Sequence, residues 1–265
     1  METKIEKIVN WIKEETEKAN ANGVVIGISG GIDSAVVATL AKKAFPQNTL
    51  AIWMGIDSLK YARRNCNRVL LNLDLEETKI DLKPTLEQYI KDIFELEILG
   101  KKDLEAYTRK MNGEKLPRDM SYLELENYQE IIENIKTRLR ITTLYAWAQR
   151  KNYLVLNTSN LSEIYVGYYK KWGDSVGDLA PIANLTRTEV YQLAKELELP
   201  KLIIETSPLV DSWDNKKSNK EEIEITYEDI DNFLANKEIL EEKKVLIEKL
   251  HQENLHKLIG VKKID

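Results

Sequence analysis

Val24-Val25-Ile26-Gly27-Ile28-Ser29-Gly30-Gly31-Ile32-Asp33-Ser34 decides how this chain folds. An apolar run ends in a Ser-Gly-Gly turn, and a helix-like stretch, Ala35–Ala44, follows. The pattern predicts a buried strand, a tight turn and a helix N-terminus in succession. Two glycines let the backbone adopt positive φ and approach a ligand closely. Free N–H groups at the positive helix end make an anion site. Ser29 and Ser34 add hydroxyl donors, and Gly27 and Ile28 lead into the turn. Asp33 is the unexpected member, because a carboxylate repels phosphate. A divalent cation between them removes the conflict, since Mg²⁺ binds carboxylate and phosphate oxygens together. No GxxxxGK[ST] or GxGxxG pattern is present here, so this is neither a Walker-type P-loop nor a dinucleotide fingerprint. An ordinary β-turn with an aspartate N-cap would account for a lone SGG. The longer SGGxDS after a buried-type strand is more specific.

Outward from that loop, helical and strand periods alternate. Ile5, Ile8, Val9 and Ile12 predict an amphipathic helix over Lys4–Asn20, ended by Asn22-Gly23. Strands are expected at Thr49–Met54, Thr78–Leu82 and Tyr153–Leu156. Helices are expected at Leu59–Leu71, from Pro84 through Phe94, and at Glu124–Gln149, Arg187–Glu198, Glu228–Leu234 and Glu238–Leu258. Polar Leu99–Leu123 reads as an irregular excursion and Asn/Lys/Asp/Ser-rich Glu205–Ile225 as a mobile segment. Short strands alternating with helices imply an α/β fold with a doubly wound parallel sheet flanked by helices, in a single domain over residues 1–265. Ligands bind such sheets at the carboxyl ends of strands. The loops after the first and fourth strands can therefore line one crevice.

Composition narrows the class. The 265 residues are 43% hydrophobic and 31% charged, which suits a globular chain. A formal net charge of −5 gives no reason to expect nucleic acid as a partner. The single cysteine, Cys66, excludes an intramolecular disulfide and reads as a small buried hydrophobe. Charged residues run through the N-terminus, and no stretch reaches membrane-spanning length, so a cytoplasmic location without membrane contact is expected. Trp53, Trp147 and Trp172 are expected in the core or an interface.

SGGxDS resembles the pyrophosphate loop of the N-type ATP pyrophosphatases, whose members activate a substrate oxygen with AMP. Three further segments resemble one family within that group. Asn134–Ile141, NIKTRLRI, resembles the N-[IV]-x-x-R-x-R segment of NAD synthetases. Asn157–Asp178, NTSNLSEIYVGYYKKWGDSVGD, is similar to the family's GT-x-x-x-x-E…GY-x-x-K-[YW]-GD segment, with Thr158, Glu163, Gly167, Lys171, Gly173, Asp174 and Asp178 in register. Ser207–Tyr227 resembles the family's lid, and Leu255–Val261 its HKR ending. On these segments the chain is identified as a member of the ammonia-dependent NAD synthetases, with an adenine nucleotide alpha hydrolase-like fold.

The resemblance implies a reaction and a set of residues. Deamido-NAD is adenylated on its carboxylate by ATP, with loss of pyrophosphate, and free ammonia then displaces AMP. Gly27, Ile28, Ser29, Gly30, Gly31, Ile32, Asp33 and Ser34, with Thr158 and Arg187, would meet ATP. Asp33 and Glu163, on two strand-end loops, could converge on one Mg²⁺, although an isolated Glu163 would read as a helix-cap partner. Asp174 would bind ammonium and take its proton, against a plain reading as a turn aspartate, with Lys171 beside it. Arg138, Lys171, His256 and Lys257 would meet the anionic groups of deamido-NAD, with Asp178 as an acceptor. Arg138 and Arg140 lie two apart on a helix and should point to different faces. The family's dimeric state implies a homodimer in which Glu124–Gln149 is an interface element. Glu205–Ile225 would be a lid. The chain departs from the family at Asn157 (usually Gly), Leu209 (usually Thr or Ser), Arg187 (usually Lys), Ser175-Val176 (often Gly-Gly) and Leu258 (usually Arg). Another adenylating amidotransferase resembling GMP synthetase, or a nucleotide sensor without catalysis, are the competing readings.

Overall fold

A computed structural model of the chain describes residues 2–56, 60–75, 77–95, 122–205, 225–258 and 260, with the side chains of 60–61, 77, 94–95 and 122–128 left aside. The expected excursion at Leu99–Leu123 and lid at Glu205–Ile225 lie outside the described residues except at their edges, and Leu209 lies outside them entirely.

The chain opens with α1 (Lys4–Lys18), capped by a reciprocal Thr3–Glu6 box. There follow β1 (Gly23–Gly27), α2 (Ile32–Ala44), β2 (Thr49–Gly55), α3 (Lys60–Asn72), β3 (Glu77–Asp81) and α4 (Lys83–Glu95). The long α5 (Tyr122–Lys151) leads into β4 (Tyr153–Val155), α6 (Leu161–Val166) and α7 (Arg187–Glu196). The chain then forms α8 (Lys201–Glu205), α9 (Tyr227–Leu234) and α10 (Glu241–Leu258). The expected helices and strands are present, with ends that coincide or shift by up to three residues. Two short helices, α6 and α8, had no periodic signal, because six and five residues are too few to show one.

The four strands form one parallel sheet in the order β3-β2-β1-β4. Side chains alternate across it, as a pleated strand requires. Val24 and Ile26 of β1, with Ala51 and Trp53 of β2, face a layer built from α1, α2, α3, α7 and α8. Val25, Ile52, Met54 and Val155 face the opposite layer, from α4 and α5. Strands covered on both faces read as unbroken apolar runs, which is why VVI carries no polar residue. Each fully buried Val or Ile contributes about 1.5–3 kcal/mol relative to exposure. The chain moves outward from β1 to β3 and then returns to the other side of β1 for β4. That reversal places a switch point at the carboxyl ends of β1 and β4, where open α/β sheets bind ligands. A third cluster, around Val166, Ile230 and Ile247, joins α6, α9 and α10 beside it.

Candidate active site

The turn after β1 is shaped by one backbone approach. Gly30 has φ +85°, and a Cβ there would collide with the carbonyl oxygen of Ala62 on α3. The glycine is thus required by both conformation and space. The loop is closed by hydroxyls: Gly31 N donates to Ser29 Oγ (3.1 Å), Ser34 Oγ donates to the Gly31 carbonyl (3.0 Å), and the two hydroxyls are 3.0 Å apart. Gly31 is the N-cap of α2 and offers no side-chain acceptor, so the first amides of that helix are not capped by its own side chain. Asp33 stands in that first turn, where the helix dipole favours a negative charge.

The loop after β4 brings a second carboxylate to the first. Asn160 caps α6, accepting from Glu163 N (3.0 Å), while Glu163 Oε2 accepts from Asn160 N (3.1 Å). The same Asn160 donates through Nδ2 to Asp33 Oδ1 (3.1 Å). One buried amide thus sets the spacing of both acids. Glu163 is the helix-cap partner that its isolated reading predicts: one oxygen completes the cap, and the other faces the cleft, 3.5 Å from the Tyr227 hydroxyl. Arg187, the first residue of α7, donates through Nη1 to Asp33 Oδ2 and lies 4.0 Å from Glu163 Oε1. Its guanidinium sits between the rings of Tyr191 (5.3 Å) and Tyr227 (5.0 Å). Among the described residues, the buried Arg187 Nε has no hydrogen-bond partner. Burial, and then the charge of Asp33, push the Glu163 carboxyl up to about 8, against the pull of Arg187. Arg187 itself is held above its ordinary value by the two acids, in spite of burial.

Asp174 faces the same cleft from a tight turn. Its Oδ1 accepts from Lys170 N (2.6 Å), as a turn aspartate would. Enclosure by protein raises its pKa above the ordinary carboxylate value, although the residue is open to solvent on the cleft side. Gly173 is tight against α5, where a Cβ would strike Thr137 Oγ1. Asn157, at a position where the family usually has Gly, has a definite task. Its Nδ2 donates to the Asp174 carbonyl (2.8 Å), and its Oδ1 accepts from Ser159 N (2.8 Å).

These residues line one cavity of about 310 Å³. Gly27, Ile28, Ser29, Gly31, Asp33, Ser34, Thr158, Glu163, Asp174 and Arg187 all face it. Gly30 and Ile32 do not: Gly30 serves the approach to Ala62, and Ile32 is buried in the core. The expected anion-binding residues gather next to the cavity and not in its wall. Arg138 Nη2 donates to the Lys171 carbonyl (3.1 Å), Lys171 Nζ to the His256 carbonyl, and Lys257 Nζ to the Gly167 carbonyl (2.7 Å). The His256 ring stays local, with Nδ1 3.0 Å from the Glu253 carbonyl. Asp178 is occupied at the sheet edge, accepting from Val155 N (2.7 Å) and the Tyr145 hydroxyl (3.2 Å). Arg140 points to a different face from Arg138, as expected, and reaches the cavity with Nε 3.5 Å from the Met54 carbonyl. Sequence reasoning missed Arg140, Tyr168, Tyr169 and Tyr227 as lining residues. For Arg140 the i, i+2 offset from Arg138 was the available signal; the tyrosines gave none. Trp53 is buried, and Trp147 is half-buried against α5's apolar cluster, whereas Trp172 is 51% exposed and so lies outside the core, which leaves only the interface half of its expected placement. Cys66 is fully buried, as expected.

Comparison with known proteins agrees with this fold. The NAD synthase family model matches residues 4–264. An NH(3)-dependent NAD(+) synthetase of Carboxydothermus hydrogenoformans is 37% identical over 97% of this chain and 94% of its own length. One of Mycoplasmopsis pulmonis is 40% identical over 94% of this chain and 85% of its own. Among solved structures, an NMN synthetase from Francisella tularensis superposes with a TM-score of 0.81 at 28% identity, covering 99% and 97% of the two chains. An NH3-dependent NAD synthetase from Campylobacter jejuni superposes at 0.73 and 26% identity, covering 99% and 98%. A match to the family model across nearly every residue, with relatives this similar over nearly full length, establishes that the chain belongs to the NAD synthase family.

Proposed function

We propose that this chain amidates the carboxylate of deamido-NAD with free ammonia, consuming ATP and releasing AMP and pyrophosphate. The observation that carries the reading is the meeting of a phosphate-type loop, two acids, an arginine and Asp174 in one cavity at the switch point of the sheet. The amides of Ile32 and Asp33 at the start of α2 and the buried Nε of Arg187 suit the phosphates of ATP, with Thr158 also lining the cavity. The substrate carboxylate attacks the α-phosphorus, and pyrophosphate leaves into this positive cradle. Ammonia then attacks the acyl carbon, and AMP leaves. Asp174, its pKa raised by enclosure, would hold ammonium in the cleft and take its proton. Arg138, Lys171, His256 and Lys257, adjacent to the cavity, would hold the substrate's phosphates and carboxylate, with Asp178 as an acceptor.

Mg²⁺ fits the site on chemical grounds. Asp33 and Glu163 supply two hard oxygen donors from two loops, held together by Asn160, and Mg²⁺ takes one or two carboxylates together with phosphate oxygens. Among the described residues no set of three His, Cys, Asp or Glu side chains forms a metal cage by itself, so the phosphates would complete the coordination. When bound, the ion would offset charge on the phosphates. The chain is further proposed to act as a homodimer and to reside in the cytoplasm.

The test is a pyrophosphate-release assay with ATP, Mg²⁺ and ammonium, with and without deamido-NAD. Pyrophosphate and NAD should form together only with deamido-NAD present. Binding of ATP without release would favour the sensor reading. The likeness to an NMN synthetase supports a second reading, in which the substrate is the corresponding mononucleotide. Both substrates should be assayed in parallel, and a higher kcat/KM for the mononucleotide would overturn the dinucleotide assignment. Asp33→Asn should lower turnover about 100-fold or more without changing the far-UV circular dichroism. Near-normal turnover would remove the metal role.

A further inference from the structure

We propose that Asp231 is a positioning residue that sets Arg187, Glu163 and Tyr227 in register for the phosphates. It touches none of the reacting groups. The inference rests on the functional reading above for its ligand and on the geometry below for everything else.

Asp231 lies on α9 with 6% of its surface exposed, and among the described residues no Lys or Arg is paired with it. A buried carboxylate without a counter-ion is costly unless each oxygen is satisfied. Both are. Oδ1 accepts from the Ser162 hydroxyl on α6 (2.5 Å), and Oδ2 accepts from Thr188 N in the first turn of α7 (2.7 Å). The positive end of α7 faces the charge. Ser162 Oγ, whose own O–H donates to Asp231, accepts from Arg187 N (2.9 Å). One carboxylate thereby ties together α6, α7 and its own helix. Each of those helices contributes a side chain to the cavity: Glu163 from α6, Arg187 from α7 and Tyr227 from α9, four residues before Asp231 on the same face.

The direction of the protons makes the arrangement specific to a carboxylate. Thr188 N and the Ser162 hydroxyl both donate to Asp231. An amide in its place would have one oxygen for Thr188 and an NH₂ group aimed at Ser162. Ser162 would then face two donors, that NH₂ and Arg187 N, with its own proton unplaced. The first turn of α7 must shift to relieve this, and Arg187 sits in that turn.

The experiment is a double-mutant cycle on ATP binding, measured by calorimetry without ammonium or deamido-NAD, in Asp231→Asn, Arg187→Ala and the double variant. Asp231→Asn should weaken ATP binding roughly tenfold in the wild-type background and less than twofold when Arg187 is already alanine. A loss of equal size in both backgrounds would mean that Asp231 serves stability alone and would overturn the proposal. Should Asp231→Asn fail to fold, Ser162→Ala replaces it in the same cycle, with the same outcomes expected. Crystal structures of the wild type and the variant give a readout independent of ligand. An Arg187 guanidinium still bonded to Asp33 in the variant overturns the positioning role even if the functional reading stands. A displaced guanidinium in a protein that never binds ATP overturns the functional reading while the positioning role stands.

Discussion

At the scale of single residues, charge and proton placement decide what the site does. Asp174 has two tasks that one substitution separates. If it served only the turn to Lys170, Asp174→Asn would leave the ratio of NAD to pyrophosphate at one. If it holds ammonium, the variant should still adenylate and should aminate poorly, so pyrophosphate outruns NAD. Loss of a carboxylate–cation contact, about 1.5–3 kcal/mol, should raise the KM for ammonium roughly ten- to a hundredfold. A one-to-one ratio with unchanged ammonium dependence would assign Asp174 to structure. Glu163 gives a pH signature in metal-free buffer. Its pKa is near 4.5 when the chain is unfolded and about 8 in the fold, so the folded state holds the proton more tightly. Its contribution to stability is complete below about pH 4.5 and is lost as pH rises toward 8. Glu163→Gln keeps an acceptor for the cap and removes the titration. Relative to wild type, the variant should therefore gain on the order of 1–3 kcal/mol between pH 5 and pH 8, measured by urea denaturation. A parallel pH dependence in the two proteins would refute the burial-driven shift. Most of this was legible in the sequence only as motif positions: Asp33, Glu163, Asp174 and Arg187 could be named, but the place of Arg187 between the acids and the amide that spaces them could not. Pairing across 127 residues, as between Asn160 and Asp33, leaves no local pattern.

At the scale of elements, the loop after β1 is the test of how local sequence becomes a site. Gly30 and Gly31 look equivalent in the sequence and are not equivalent in the fold. Gly30→Ala forces a side chain into positive φ and into the Ala62 carbonyl, so it should cost about 2 kcal/mol or more of stability and should abolish tight ATP binding. Gly31 has φ −85°, and an added Cβ meets only the Ser29 hydroxyl, at 3.3 Å. Gly31→Ala should cost about 1 kcal/mol, the loss expected when alanine replaces a better N-cap, with no backbone collision or positive φ to add to it. Urea denaturation of both variants checks the contrast, and equal losses would show that the approach to α3 does not shape the loop. The same contrast explains what could be read in advance. Strands and long helices announce themselves by periods of 2 and 3.6, and α1, α2, α5 and the sheet were legible on that ground. The short α6 and α8 were not, nor was the identity of the glycine that needs its freedom, since only a partner from α3 makes the requirement.

At the scale of the whole molecule, one element is larger than its own fold requires. With 30 residues, α5 runs about 45 Å, whereas a five-residue strand such as β1 spans about 17 Å. The helix packs on β1, β4 and α4. Only Ile132, Leu144 and Ala148 of its described side chains are fully buried apolar residues. Ile135, Leu139, Ile141, Tyr145 and Trp147 are half-buried, and Ile131 is 37% exposed. A row of incompletely covered apolar side chains along a helix this long favours a second surface against it. The helix also carries Arg138, beside the cavity, and Arg140, in its wall, so a partner packed here would sit next to the chemistry. Sedimentation at micromolar concentration is therefore expected to show a dimer, and Ile131→Asp should shift it toward monomer. If the interface supports the site, the KM for deamido-NAD should rise in the same variant, since the cationic cluster lies on that side. A wild-type monomer with full activity would refute the dimer. A monomeric variant with unchanged kinetics would confine the interface to assembly and leave each subunit's site complete on its own.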